Sequence, residues 1–437
     1  MASDTYLLFG LGKMGLSLAT NLLSRGCKVH AYDAERSTMR KAEIASKRKI
    51  QVFDTCCSLL NSVSGQREVL LCIPEGKGLD ALLNFLSKSL KPKDVIFDMG
   101  NSDFRKTSQR AVLLREVGVF FCDIGVSGGP EGALKYPSLM AGTDNQSRFF
   151  AECLVDRLQG EEGDFQSAAL VGDIGMGHFA KSVHNAIEYC IMQTLGELKQ
   201  IFVGKGAVFY ENSVRASLLD GFLAEITFKQ TESLAPLKTD CSQVTVGQNG
   251  TGLWIAQFAF DNGIPFPSLN RSIEHRLMSS KATYYRADKK PQKSDFQIIL
   301  DTKDTIEFLD LIAISIFIQG LSLFNFVYRK QGNGFHIENT LRAWKNGSVL
   351  RGAAVNFLCK NLPMIQDNHI FLGDTSLDRF VKMRANSSTT HRTVIQDNQS
   401  YAPVTISAVD YFLHHPHFNK ISRTLQAQRR IFGGHEN

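Results

Sequence analysis

The sequence predicts an α/β Rossmann-like N-terminal domain followed by a large all-α C-terminal domain. Short apolar runs alternate with amphipathic stretches in the first third of the chain, a glycine-rich motif follows the first run, and strand-like patterns nearly vanish after Gly175. Alternating strand and helix patterns are typical of a parallel, doubly wound sheet. A chain of 437 residues is long enough to bury two apolar cores.

Six short apolar runs predict the strands of the first domain. In chain order they are Tyr6–Phe9, Lys28–Tyr32, Val69–Ile73, Val95–Asp98, Val119–Asp123 and Ala168–Val171. Amphipathic stretches such as Met14–Leu23 and Leu79–Leu90 predict helices between them, and one long helical pattern runs from His178 to about Phe202. The predicted domains are a Rossmann-like domain over 1–175, an all-α substrate and dimerisation domain over 176–425, and a C-terminal segment over 426–437.

Composition and charge argue against several classes of protein. The net charge of +6 is modest and the basic residues are scattered, so we expect no nucleic-acid partner. The nine cysteines form no C-x-x-C pair, which favours reduced thiols in the cytoplasm over disulfides or a metal site. We expect no signal peptide, because the first strand begins almost at once. The apolar segment Leu311–Phe324 is shorter than the roughly 20 residues of a membrane span, so we predict a buried core helix and no membrane association.

A G-x-G-x-x-G motif directly after the first strand predicts a dinucleotide site. It comprises Gly10, Leu11, Gly12, Lys13, Met14 and Gly15. Its glycines permit a tight turn, close approach to a pyrophosphate and close helix–strand packing. Asp33, at the end of the second strand, can bind the ribose hydroxyls of NAD and would repel the 2′-phosphate of NADP. We therefore favour NAD, and Arg36 as a phosphate partner keeps NADP as the alternative.

Four polar residues share one face of the long helix. Lys181, His184, Asn185 and Glu188 are spaced i, i+3, i+4 and i+7. Apolar neighbours predict that Lys181 is partly desolvated, with its pKa lowered towards neutrality. A solvated helix face would explain any one of these residues. The four together, directly after a glycine-rich turn, favour a functional site.

The run from Gly175 to Tyr189 closely resembles the catalytic signature of the 6-phosphogluconate dehydrogenases, which belong to the β-hydroxyacid dehydrogenase superfamily. Four other segments are similar to family motifs in the same order. Residues 98–102 resemble the loop that meets the nicotinamide and substrate, and 125–133, continued by 137–140, resemble the substrate loop. Residues 247–254 with Arg276 resemble the phosphate-binding stretch, and 426–435 resemble the C-terminal segment that reaches the neighbouring subunit. Several motifs in the right order are more specific than any one of them. The resemblance implies oxidative decarboxylation of 6-phosphogluconate to ribulose 5-phosphate and CO₂, with reduction of NAD(P).

The resemblance also implies roles for individual residues. Lys181 would act as the general base and Glu188 as the general acid. Ile73 and Pro74 would contact the cofactor, and Asn101 both the cofactor and the substrate. The residues implied to bind the substrate are Asn101, Ser127, Gly128, Gly129, His184, Asn185, Tyr189, Thr251, Arg276, Arg429 and His435. Of these, Tyr189, Thr251 and Arg276 would hold its phosphate, and Arg429 and His435 are the last two in chain order. The last two would come from the partner chain, so that a homodimer shares its active sites.

Several positions depart from the family pattern. Asp33-Ala34-Glu35 replaces the Asn-Arg-Thr whose arginine grips the NADP 2′-phosphate, in agreement with the interpretation of Asp33. Asn249 replaces a phosphate-binding lysine, and a lysine usual near Glu75 is absent. Two alternatives stay open. One is another β-hydroxyacid dehydrogenase, such as one acting on hydroxyisobutyrate, and the other is a catalytically silent nucleotide-binding homologue.

Overall fold

A computed structural model describes most of the chain. The described residues are 4–159, 166–201, 206–230, 246–247, 250–279, 302–331, 334–361, 402–413 and 422–429. The chain divides into two compact units that interleave along the sequence, so the predicted division at 175 and 425 stays a prediction. The first unit comprises Met1–Glu188, Gln248–Ile264 and Gly320–Leu362, and the second comprises Tyr189–Gly247, Pro265–Gln319 and Pro363–Asn437.

The first unit contains one eight-stranded sheet. In chain order its strands are β1 Thr5–Phe9, β2 Lys28–Tyr32, β3 Gln51–Val52, β4 Glu68–Leu71, β5 Val95–Asp98, β6 Phe120–Ser127, β7 Ser138–Gly142 and β8 Ala168–Gly172. Their spatial order is β3-β2-β1-β4-β5-β6-β7-β8. Neighbouring strands are parallel except β6 and β7, which are antiparallel. The predicted Rossmann-like sheet is confirmed.

Two of these strands were not predicted, and one segment that was expected to be a loop is mostly regular structure. β3 has only two residues, too few for a periodic pattern. β7 is buried along its whole length and therefore lacks the alternation of a half-exposed strand. The stretch expected to be a substrate loop is mostly regular structure: Gly125 to Ser127 complete β6, Gly129–Lys135 form a helix, and β7 follows.

Helices connect the strands and make up most of the rest of the described chain. Their bounds are α1 Lys13–Ser24, α2 Arg36–Ala45, α3 Cys56–Leu60, α4 Lys77–Ser89, α5 Phe104–Glu116, α6 Gly129–Lys135, α7 Arg148–Gln159, α8 Met176–Ile201, α9 Gly206–Phe209, α10 Phe222–Glu225, α11 Thr251–Asp261, α12 Pro267–Ser279, α13 Thr302–Gln331, α14 Ile337–Lys345, α15 Ala353–Lys360 and α16 Pro403–Leu413. Two π-helical turns, Tyr210–Val214 and Ile226–Gln230, and a helix over 422–429 complete the set.

Both faces of the sheet are covered. Successive residues of β1 point to opposite sides, because side chains alternate along a strand. Tyr6 and Leu8 belong to the apolar core that includes residues of α1, whereas Leu7 and Phe9 belong to the core that includes residues of α4. Burial on both faces explains why these strands are continuous apolar runs in the sequence.

A returning segment around α14 adds to the far edge of this sheet. The backbone N–H of His336 donates to the carbonyl of Val171 over 2.7 Å, and the N–H of Asp173 donates to the carbonyl of Gly334 over 2.8 Å. The turn that follows α14 then reaches the end of β6, where a Cβ on Gly128 would overlap the carbonyl oxygen of Gly347. The sheet thus holds a distant part of the chain beside the carboxyl end of β6.

The secondary structure elements in the described residues of the second unit are helices, and the predicted all-α character of the C-terminal part is confirmed. Buried side chains satisfy the N-termini of two of its helices. The carboxylate of Glu197 accepts hydrogen bonds from the N–H groups of Val404 (3.1 Å) and Thr405 (2.9 Å) at the start of α16. The side-chain oxygen of Gln319 accepts one from the N–H of Ser268 (3.1 Å) in α12. These contacts replace the hydrogen bonds that helix N-termini lack.

One helix of the described residues, Lys303–Lys330 within α13, is long and apolar enough to cross a membrane by length and composition alone. Its most apolar window is 78% buried inside the protein. Burial of this extent is typical of a core helix, which is how the segment Leu311–Phe324 was interpreted from the sequence.

Candidate active site

The glycine-rich turn between β1 and α1 has the shape of a pyrophosphate cradle. Gly10 has φ +95°, and a Cβ there would lie 2.5 Å from the carbonyl oxygen of Cys72. A Cβ on Gly15 would overlap the carbonyl oxygen of Gly10. Gly12 is the N-cap of α1, and by contrast no described atom lies within 4 Å of a Cβ placed on it. No described side chain caps this helix by a hydrogen bond. The residues present therefore fit the pyrophosphate of a dinucleotide, bound at free backbone N–H groups.

Asp33 is fixed beside this turn, at the end of β2. Its Oδ2 accepts a hydrogen bond from the N–H of Leu11 over 2.7 Å, and its Oδ1 accepts one from the N–H of Glu35 over 2.9 Å. The ribose of a dinucleotide binds at this point of the fold. Two cations, Lys13 at the start of α1 and Arg36 at the start of α2, are exposed. Met14, the remaining member of the turn, packs against the core.

The loops after β4 and β5 bring three predicted cofactor contacts to the same edge of the sheet. Ile73 and Pro74 follow β4 and Asn101 follows β5, and the two strands are adjacent and parallel. The loops touch, because a Cβ on Gly100 would lie 2.5 Å from the carbonyl oxygen of Ile73. Asp98 orders the second loop by accepting a hydrogen bond from the N–H of Gly100 over 3.1 Å.

Lys181 lies on α8 with its side chain against β6. A Cβ on Gly125 would be 2.5 Å from the Cβ of Lys181, so the glycine makes room for the lysine. Only 8% of Lys181 is exposed. Burial lowers the pKa of its ammonium group, and the negative charge of Glu188 opposes this shift. The predicted desolvation of Lys181 is thus observed, and it favours the neutral amine that a general base requires.

His184 is completely buried and has partners at both ring nitrogens. Its Nε2 lies 3.0 Å from the hydroxyl of Ser127 and 2.8 Å from that of Ser348. Its Nδ1 lies 3.2 Å from Oδ1 of Asn185 and 3.6 Å from the carboxylate of Glu188. Because hydroxyls can donate whereas these two oxygens accept, the geometry favours a neutral ring with its proton on Nδ1. Burial, and secondly the ammonium group of the lysine one turn earlier, lower the pKa of His184 well below its ordinary value.

Asn185 and Glu188 complete the predicted helix face. The side-chain amide of Asn185 donates to the hydroxyl of Thr251 over 3.1 Å, which joins α8 to the first residue of α11. The carboxyl group of Glu188 is more open, with 23% of its side chain exposed. The four residues predicted from their spacing therefore form one cluster, with a lysine and a histidine inside and a carboxylate at its open edge.

Two family matches together cover almost the whole chain. Residues 6–157 match the NAD binding domain of 6-phosphogluconate dehydrogenase, and residues 177–437 match the 6-phosphogluconate dehydrogenase C-terminal domain. The second match alone spans more than half of the chain. The chain belongs to the 6-phosphogluconate dehydrogenase family. The resemblance inferred from the motifs is confirmed.

Curated relatives match along most of this family member. The decarboxylating 6-phosphogluconate dehydrogenase of Synechococcus elongatus is 28% identical over an alignment that covers 100% of this chain and 97% of the relative. A relative from Bacillus subtilis, named as the NADP(+)-dependent decarboxylating enzyme, is 33% identical over 62% of this chain and 61% of its own length.

Solved structures agree with the family fold. The Plasmodium falciparum 6-phosphogluconate dehydrogenase, described with its cofactor NADP⁺ and with its substrate, has a TM-score of 0.79 at 23% identity, covering 99% of this chain and 97% of its own. A Mycobacterium tuberculosis 3-hydroxyisobutyrate dehydrogenase has a TM-score of 0.51 at 17% identity, covering 66% of this chain and 96% of its own. At these identities the likeness shows the fold alone.

Two residues that the family resemblance assigns to the substrate phosphate lie together in the second unit. The guanidinium carbon of Arg276 is 3.9 Å from the ring centroid of Tyr189, and its Nη1 donates to the carbonyl of Gly247 over 3.0 Å. Arg276 is only 6% exposed. Stacking and hydrogen bonding hold the guanidinium in one orientation. Their role in phosphate binding stays a prediction.

Four predicted substrate residues remain, namely Gly128, Gly129, Arg429 and His435. Gly128 (φ +109°) and Gly129 (φ +64°) form the tight turn that enters α6 directly after Ser127. Arg429 is exposed at the end of the helix over 422–429. His435 and Asn249 lie outside the described residues. The roles of Arg429 and His435 in a partner's site stay predictions.

Sequence reasoning missed two residues that contact His184. The ring of Trp344 meets the imidazole edge-on, with centroids 5.5 Å apart, and its Nε1 lies 3.1 Å from the sulfur of Met140. Ser348 reaches Nε2 of the imidazole from the turn after α14. The Asn-Gly dipeptide before Ser348 signals a turn, but it carries no information about which distant residue the turn will meet.

Proposed function

We propose that this chain catalyses the oxidative decarboxylation of 6-phosphogluconate to ribulose 5-phosphate and CO₂, with reduction of NAD or NADP. The observation that carries the proposal is the cluster of buried Lys181 and His184 with Glu188 at its open edge, in a member of this family. The names of its curated relatives support the same reaction.

Lys181 and Glu188 divide the proton transfers in this reaction. A bound nicotinamide supplies the acceptor for the hydride that leaves C3 of the substrate. The neutral amine of Lys181 takes the proton of the C3 hydroxyl, and the ammonium so formed donates to the C3 ketone. When the carboxylate departs as CO₂, that proton passes from Lys181 to the C3 oxygen and gives the enediol, and Lys181 takes it back when the product ketone forms. Glu188 then protonates the carbon that becomes C1 of the product.

We further propose that NAD is preferred over NADP. The carboxylate of Asp33, held by the N–H groups of Leu11 and Glu35, supports this preference because it would repel a 2′-phosphate. The expected result is a higher kcat/KM with NAD, and a shift of the ratio towards NADP in Asp33→Asn. A higher kcat/KM with NADP, lost in Arg36→Gln, would overturn the preference and identify Arg36 as the phosphate partner.

We also propose a homodimer in which Arg429 and His435 enter the partner's active site. Mixing two inactive variants tests it: Lys181→Met and Arg429→Ala should each be inactive alone and regain activity after joint refolding or exchange of subunits. The mixed dimer would contain one site with both an intact lysine and an intact arginine. Absence of any recovery, in a mixture shown to contain mixed dimers, would mean that each site is built from one chain.

The reaction itself is tested by incubating purified protein with 6-phosphogluconate and following nicotinamide reduction with NAD and NADP in parallel. Hydroxyisobutyrate serves as the control substrate. Turnover with 6-phosphogluconate is expected. Turnover with hydroxyisobutyrate alone would support another β-hydroxyacid dehydrogenase. Cofactor binding without turnover of either substrate would support a catalytically silent homologue.

A further inference from the structure

Glu75 and Arg110 form a two-pronged ion pair beside the predicted nicotinamide site. Glu75 lies in the loop after β4, one residue beyond Pro74, and Arg110 lies on α5. Oε1 of Glu75 is 2.7 Å from Nη2 of Arg110, and Oε2 is 2.8 Å from Nη1. The side chains are 12% and 7% exposed. A bidentate pair that is this buried fixes both the distance and the relative orientation of its partners.

The same carboxylate also holds the neighbouring loop. Oε2 of Glu75 accepts a hydrogen bond from the backbone N–H of Asp103 over 3.0 Å, and Oε1 lies 3.1 Å from Nζ of Lys106. Asp103 is the N-cap of α5 and ends the loop that carries Asn101. Glu75 therefore joins the loop that follows β4 to the loop that follows β5.

The charge state of Glu75 suits a permanent clamp. Burial alone would raise the pKa of this carboxyl group. Hydrogen bonds from Arg110, from the N–H of Asp103 and from Lys106 outweigh burial and lower the pKa to about 2. The carboxylate is therefore ionised throughout the pH range in which a dehydrogenase works.

We propose that Glu75 and Arg110 are positioning residues for the nicotinamide half of the cofactor. Their ion pair holds Ile73 and Pro74 at a fixed separation from Asn101, and the nicotinamide binds across these loops. The proposal rests on the proposed function only in requiring that the chain binds NAD or NADP.

We compare the binding of the whole cofactor with that of a fragment that lacks the nicotinamide. This comparison distinguishes a positioning role at the nicotinamide from a general loss of folded structure. We would measure the Kd of NAD⁺ and of ADP-ribose by calorimetry for the wild type, Glu75→Gln and Asp80→Asn. If NADP⁺ binds more tightly, NADP⁺ and 2′-phospho-ADP-ribose replace them. Asp80→Asn is the matched control, because Asp80 also contacts Arg110, at 2.6 Å, but lies on α4 and holds neither loop.

The expected result is that Glu75→Gln weakens NAD⁺ binding about tenfold, the equivalent of one charge-assisted hydrogen bond, and leaves ADP-ribose binding unchanged. Asp80→Asn should leave both constants unchanged. The proposal would be overturned if Glu75→Gln bound both ligands more weakly by the same factor, or if it bound both as tightly as the wild type. If the wild type bound neither ligand, the proposed function itself would fail, and that outcome is distinct from both.

Discussion

The hydroxyl oxygen of Ser348 lies 2.8 Å from Nε2 of His184, although the two residues are 164 positions apart in the chain. The hydroxyl of Ser127 lies on the same nitrogen at 3.0 Å. Together they place two potential donors on Nε2 and leave Nδ1 to face Asn185 and Glu188. A serine from a remote turn thereby takes part in setting the tautomer of a histidine inside the proposed active site.

Replacing Ser348 by alanine is expected to lower kcat/KM for 6-phosphogluconate by about tenfold, because the lost contact is worth about 1 kcal/mol or somewhat more. The same variant should change the ¹⁵N chemical shifts of the ring nitrogens of His184, which report its tautomer. Ser407→Ala is the matched control, since that hydroxyl donates to the carbonyl of Pro403 in its own helix. Unchanged ring shifts in Ser348→Ala would show that Ser127 alone sets the tautomer.

The two glycines Gly12 and Gly15 should respond differently to alanine. Gly12→Ala adds a methyl group to open space at the pyrophosphate cradle, so we expect normal thermal stability and cofactor binding weakened at least about tenfold. Gly15→Ala would push against the carbonyl oxygen of Gly10, so we expect a loss of about 1–3 kcal/mol in the free energy of unfolding. Denaturant titration measures the free energy of unfolding of each variant, and calorimetry measures its cofactor binding. Tight cofactor binding in Gly12→Ala would contradict the cradle.

Much of the first unit could be predicted because its signals are local. β2 and β5 have the predicted bounds, and α8 begins and ends close to the predicted positions. These elements combine a clear apolar pattern with a glycine close to one end, namely Gly26 before β2, Gly100 after β5 and Gly175 before α8. The shared face of Lys181, His184, Asn185 and Glu188 could be predicted for the same reason, because residues three and four apart on a helix are neighbours whatever the rest of the chain does.

The contacts that could not be predicted are set by tertiary packing. β7 is buried on both faces and therefore gives no alternating pattern. Ser348 and Trp344 reach His184 only because the segment around α14 adds to β8, and no local pattern encodes that return. The pair of Glu75 and Arg110 has no local pattern either, since the two residues are 35 positions apart and Arg110 lies on another helix.

Asp310 is expected to make stability fall between about pH 4 and pH 6. Burial raises the pKa of its carboxyl group to about 6 in the folded protein, although a hydrogen bond from the N–H of Leu218 opposes the shift. The unfolded value is about 3.9. The folded state therefore holds this proton more tightly, so the free energy of unfolding decreases as pH rises through this window and is then constant.

Asp310→Asn removes the titrating carboxyl group and keeps a side-chain oxygen that can accept the hydrogen bond from the N–H of Leu218. Relative to the wild type, the variant should gain on the order of 1 kcal/mol between pH 4 and pH 6.5, after allowance for partial solvent exposure. Urea titrations at several pH values measure the difference. A difference that stays the same across this range would mean that the carboxyl group titrates as in the unfolded chain.

The pH dependence of turnover should reflect Lys181. Its pKa is lowered by burial, and the reaction needs the neutral amine. We therefore expect kcat/KM to rise with pH and to level off below the ordinary lysine value of about 10.4. Lys181→Arg, which stays protonated, should lose this rise together with the activity. A rise that levels off only near the ordinary lysine value would contradict the role of burial.

The most direct test of the central claim is the stoichiometry of CO₂ and reduced cofactor formed from 6-phosphogluconate by the wild type and by Lys181→Met. The wild type should release one CO₂ for each cofactor reduced, and the variant should lose at least about 10²-fold in rate while still binding the cofactor. Equal rates in the two proteins, or cofactor reduction without CO₂ release by the wild type, would contradict a decarboxylating dehydrogenase that uses Lys181 as its base.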